Sequence, residues 1–126
     1  MILDELYDHI VSSGIVDDYV KRLLHANDGD ELFQKAAKFM LIRPDGGAKV
    51  EDFQGFPQFR IALGGRSSNM VSIYNDAQSI INFVNANRVS GSIFNIVVLS
   101  DVSPAFPMTD DRIYFEINLQ IFQNRG

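Results

Sequence analysis

The chain has 126 residues, 46% of them hydrophobic and 21% charged, with a net charge of −5 and no cysteine. That length accommodates one core, and the composition excludes disorder as the default. The acidic balance argues against sequence-specific nucleic-acid binding, which needs clustered Lys and Arg, and the missing cysteines exclude a disulfide framework, a thiolate nucleophile and a Cys-based zinc site.

In chain order, Ile2, Leu3, Leu6, Tyr7, Ile10 and Val11 recur at helical spacing. Asp4 and Glu5 sit in the first turn, where the helix dipole favours acids, and Gly14 is placed as a stop, so residues 2–13 are predicted to form an amphipathic helix. Acids among its apolar residues and no basic leader set this stretch apart from a signal peptide. Asp17 or Asp18 is positioned to cap a short second helix through about His25, with Val20, Leu23 and Leu24 on its apolar side. Asn27-Asp28-Gly29-Asp30 is a loop by composition. Leu32, Phe33, Ala36 and Ala37 fit a helical turn, whereas Phe39-Met40-Leu41-Ile42 suits a strand covered on both faces. The favoured reading is a strand from about Lys38 to Arg43 with a helical or irregular lead-in.

Pro44 to Pro57 is a polar, Gly-rich connection, longer than the roughly 4–6 residues usual between elements. Residues 44–56 are therefore expected to be mobile in an isolated subunit and ordered by a partner. Phe59, Ile61 and Leu63 alternate with Arg60 and Ala62, predicting a strand opened by Pro57 and closed by Gly64-Gly65. Met70, Ile73, Tyr74, Ala77, Ile80, Ile81 and Val84 predict a long helix, with Ser67 or Ser68 as its cap. Ile93 to Leu99 reads as a β-branched strand, and VSPAFPMTDD as a turn-rich loop. In the last strand Ile113, Phe115, Ile117, Leu119 and Ile121 point one way, and Tyr114, Glu116, Asn118 and Gln120 the other. These elements predict an α+β domain over residues 1–126: a mainly antiparallel sheet of about four strands with two or three helices packed on one face.

Few patterns carry chemistry. His9 and His25 fall in separate segments with no HExxH, and no serine lies in GxSxG. Gly64-Gly65-Arg66-Ser67-Ser68 before a helix invites a phosphate-loop reading but lacks GxxxxGK[ST]; a strand-to-helix turn with a serine cap accounts for it. Asp17-Asp18 and Asp110-Asp111 read as a cap and a turn, and Asp28-Gly29-Asp30 is too short for a calcium loop. No window approaches the roughly 20 apolar residues that span a bilayer, so no membrane partner is expected. With no nucleophile, base and orienting group assembled, neither enzyme activity nor a cofactor is expected. Phe53, Phe56 and Phe106 fall in predicted loops, where a phenylalanine either tucks back or enters a partner.

From about residue 38 onward the chain resembles the tail terminator (tail-completion, minor tail) proteins of long-tailed bacteriophages. The resemblance lies in FMLIRPDGG, in GFPQFRIALGGR, in the helix from Met70 to Asn87, and in IFNIVVLSDVSPAFPMTDDRIYFEINLQIF, where a strand, a loop with proline and acids, and an alternating strand follow one another. An amino-terminal helix like 2–13 belongs to the pattern too; residues 15–36 carry none of it. The resemblance implies a non-enzymatic phage or prophage structural protein. It would form a ring, usually a hexamer, on the end of the tail tube, end tube polymerisation and meet the head-completion protein. Its place would be the host cytoplasm during assembly and then the virion tail. A ring needs heterologous contacts, and the candidate subunit or partner contacts are Phe53, Phe56, Arg66, Phe106, Tyr114, Glu116, Asn118 and Gln120. Rival readings are another neck or head–tail joining protein, or a small α+β regulatory or ligand-binding domain whose anion-facing loop is Gly64 to Ser68.

Overall fold

The structure, a computed structural model, describes residues 2–23, 30–45, 57–91 and 93–123. Helix α1 covers Ile2–Val11, and Gly14 at φ 78° ends the turn after it. The predicted second helix is not there. Val20–Leu23 is strand β1, running parallel to β2 (Lys38–Pro44), while Leu24 and His25 lie outside the described residues. Helix α2 is a single turn, Glu31–Gln34, whose cap Asp30 accepts from the Phe33 amide. Strand β3 runs from Gln58 to Arg66, so Gly64-Gly65 continues the predicted strand instead of closing it. After a 3-10 turn at Ser67–Asn69 comes α3, Met70–Ala86. Neither serine caps it: Asn69 holds the cap position without a side-chain capping bond, its Nδ2 donating instead to the Ala37 carbonyl, and the Ser67 hydroxyl donates to the Asp111 carbonyl. Strands β4 (Ile93–Val98), β5 (Phe106–Pro107) and β6 (Arg112–Gln123) complete the order.

Among the described residues the strands form one six-stranded sheet in the order β1-β2-β3-β6-β4, with β5 also on β6. The α+β class holds, but the sheet exceeds the expected four strands and β1–β2 is a parallel pair. β6 is interior. β3 pairs with it along Arg112 to Gln120, while β4 and then β5 share its other edge. Between those two strands the chain stays zipped to β6, through Leu99 N–H to the Asn118 carbonyl and Ser103 N–H to the Glu116 carbonyl. β4 and β6 pair antiparallel, and the proline-containing loop between them is partly strand.

The alternation in β6 falls as predicted: Phe115, Ile117, Leu119 and Ile121 are buried, and Ile113 packs beside them. Met40, Ile42, Phe59, Ile61 and Leu63 bring β2 and β3 into the same layer, covered by Leu3, Leu6 and Ile10 of α1 and Ile73, Ala77, Ile80 and Val84 of α3. Burying each large side chain contributes about 1.5–3 kcal/mol. The opposite face is not bare. Phe33 and Ala36, at and after α2, bury with Phe39 of β2, so helical cover lies on both faces.

Candidate functional site

The outer face of the sheet, away from α1 and α3, carries the side chains that alternation assigns to it. Tyr114, Glu116, Asn118 and Gln120 are all half-buried there, and the face divides into three zones along β6.

At the Arg112 end lies a small second core. The Phe33 and Phe39 rings are 4.7 Å apart, and Val20, Leu41, Met108 and Tyr114 pack around them. A cavity of about 190 Å³ opens between Phe33, Phe39, Leu41, Met108 and Tyr114. Glycine at 64 permits this arrangement, because a Cβ there would collide with the Phe39 ring and the Ile113 carbonyl.

The middle zone is ionic. Arg43 and Arg60 lie directly opposite each other on β2 and β3. Glu116, whose side chain is 14% exposed, stands 3.2 Å from Arg60 and 3.9 Å from Arg43, and Asp45 is 2.9 Å from Arg60. Opposite charges interleaved this way offset the repulsion of the arginine pair.

The far zone is neutral and amide-rich. Gln58 lies across from Gln120, and Asn118 sits between Arg60 and the Ser100 hydroxyl, to which its Nδ2 donates at 3.4 Å. The Asn118 Oδ1 is buried with no partner.

Of the candidate contacts, Phe53 and Phe56 lie outside the described residues, as does most of the connection expected to be mobile. Arg66 is exposed at the end of β3, before the 3-10 turn. Phe106 is 36% exposed and its ring stacks 5.2 Å from Tyr114, so it tucks back onto the sheet. The structure joins Phe106 with Tyr114 and sets Glu116, Asn118 and Gln120 along one strand. Arg60, Met108 and Arg112 were missed. Arg60 was legible as the polar position of an alternating strand; Arg112 sits one residue before the periodic run and gave no signal.

Arg112 is held tightly. Its Nη2 donates to the Phe33 carbonyl at 3.0 Å, its guanidinium lies 4.9 Å from the Phe39 ring centre, and its Nε is buried without a partner. Burial lowers its pKa, and the charge of Asp110 partly opposes that. The Arg22 hydrogen bond, with the Phe33 amide, pulls the Asp30 carboxyl below its ordinary range, and that bond correspondingly raises Arg22. On the helical side the Tyr19 hydroxyl donates to Asp76 Oδ2 at 2.7 Å. Burial, then that bond, then the charges of Asp76 and Asp18, push the phenol far above its usual value. His9 donates from Nε2 to the Asn87 carbonyl at 2.6 Å, and its ring lies 5.1 Å from that of Phe83, tying α1 to the end of α3. Among the described residues no three His, Cys, Asp or Glu stand together to hold a metal, and no helix is long and apolar enough to cross a membrane. Gly64 and Gly65 belong to the β3 ladder, so the phosphate-loop form is not made.

Residues 1–125 match the family described as "Phage tail termination protein". No curated protein matches the chain.

Proposed function

The chain belongs to the phage tail termination protein family, and from that premise we propose that residues 1–126 act as one non-enzymatic structural domain, closing into a hexameric ring on the end of a phage tail tube. In this reading the ring ends tube polymerisation and presents a surface to the head-completion protein, first in the host cytoplasm and then in the virion tail. The family match along nearly the whole chain carries the reading.

The outer sheet face supports it. A closed ring joins one patch to a different patch on the next copy. Copies of a chain with net charge −5 repel, so a contact zone without charge is favourable. Gln58 and Gln120 form such a zone beside Asn118, each glutamine amide carrying both a donor and an acceptor. Phe106 and Tyr114 add partly exposed aromatic area at the other end. Phe53 and Phe56, in the connection leading into β3, are proposed as partner contacts on sequence grounds.

Sedimentation velocity at micromolar concentration, with and without isolated tail tubes, tests the proposal. The expected result is a ring, free or on the tube, and tubes capped at a fixed length. A chain that stays monomeric and neither binds nor caps tubes overturns it.

A further inference from the structure

Two arginine pairs face each other across the sheet, and they are treated differently. Arg43 lies opposite Arg60, and Arg66 lies opposite Arg112. Like charges directly across a strand pair are destabilising. Glu116 and Asp45 compensate the first pair. Among the described residues no carboxylate forms an ion pair with Arg66 or Arg112. One member of the second pair is preorganised for binding. Arg112 is fixed by the Phe33 carbonyl and the Phe39 ring, with its buried Nε donor left over.

Both arginines line a cavity of about 260 Å³ at this end of the outer face, together with Gln34, Lys35, Ala36 and Asp110. Three cations against one carboxylate converge there, in a chain whose net charge is −5. We propose that this cavity binds a compact oxyanion, a carboxylate or a phosphate group, held between Arg66 and Arg112 with Lys35 at the rim. The planar guanidinium matches two oxygens of either group. Binding would supply for Arg66 and Arg112 the compensation that Glu116 supplies for the other pair. Side chains do this work, not a glycine-rich loop, since Gly64 and Gly65 are engaged in the sheet. Duplex nucleic acid is disfavoured as the source, because a phosphate backbone asks for a row of cations and the acidic chain repels it. The site stands independently of ring formation.

Isothermal titration of the full chain with inorganic phosphate and, separately, with citrate tests this, ionic strength being held constant with sodium chloride to remove general screening. Saturable binding of at least one probe is expected, weakened about tenfold or more by Arg66→Gln, the loss of a charged hydrogen-bond donor. Lys35→Gln is expected to weaken it less. Both side chains belong to exposed residues, so these variants keep the fold; Arg112→Gln also disturbs Phe33 and Phe39 and is not decisive. Binding of one probe alone supports the site and identifies the group it prefers. No saturable binding of either probe, or binding that Arg66→Gln and Lys35→Gln leave unchanged, overturns the proposal.

Discussion

Tyr19 concentrates most of the polar chemistry beneath the helical layer. It is 4% exposed, donates to Asp76, and lies under Lys38, whose Nζ is 5.5 Å from the ring centre and 3.3 Å from Asp18. Burial and the acid partner keep the phenol protonated well past the pH at which a free tyrosine ionises. The folded pKa is raised, so its contribution to stability is complete below the unfolded value near 10 and is lost as pH rises beyond it. Tyr19→Phe is therefore expected to cost about 1 kcal/mol at neutral pH, for the lost hydrogen bond. It is also expected to lose less stability than the wild type between about pH 8 and pH 11. Urea midpoints across that range check both parts, and an alkaline slope as steep in the variant as in the wild type contradicts the assignment. Tyr19 falls inside the segment that the spacing predicts as a second helix, and nothing in that pattern gives it a partner.

That segment shows where local pattern misleads. Val20, Leu23 and Leu24 have helical spacing, yet Val20 and Leu23, three apart in a strand, serve opposite faces: Val20 the small outer core and Leu23 the main one. Such a strand forms because β2 offers a parallel edge and α2 covers the outer face, neither of which lies within the segment itself. β6 was legible because its one-sided core imposes a clean period of two. The glycines of β3 misled in the other direction. Gly64 reads as punctuation, but its missing side chain makes room for the Phe39 ring. Gly64→Ala is expected to destabilise the protein by about 1–3 kcal/mol through overpacking. In a Phe39→Leu background the same change should cost less, the remainder reflecting the Ile113 carbonyl. Equal penalties in the two backgrounds, measured by chemical denaturation, refute the contact as the cause.

The candidate site was legible only as far as alternation reached. Tyr114, Glu116, Asn118 and Gln120 were placed on one face correctly, but their neighbours Arg60, Arg43 and Phe33 come from other elements, and only strand register reveals them. Family membership extends over residues 15–36, where the sequence showed none of the family's pattern, because β1 and α2 are too short to mark themselves. The same register leads to an expected order of folding. β6 is last in sequence but stands between β3 on one edge and β4 with β5 on the other, and its inner residues close the core. Without it β3 and β4 have no shared partner, and Phe59, Ile61, Leu63 and Ile96 lose the β6 side chains that complete their buried layer. Sheets built from distant segments gain little until those segments meet, so folding is expected to wait for the carboxyl-terminal strand. A chain ending at Asp111 keeps α1, α3 and five of the six strands in sequence, yet it should lack a cooperative unfolding transition and bind a hydrophobic dye. Circular dichroism with urea, beside the full chain, decides it. A sigmoidal transition in the shortened chain with an undiminished m-value would mean that the core assembles without β6, and that this strand is an addition to the sheet and not its keystone.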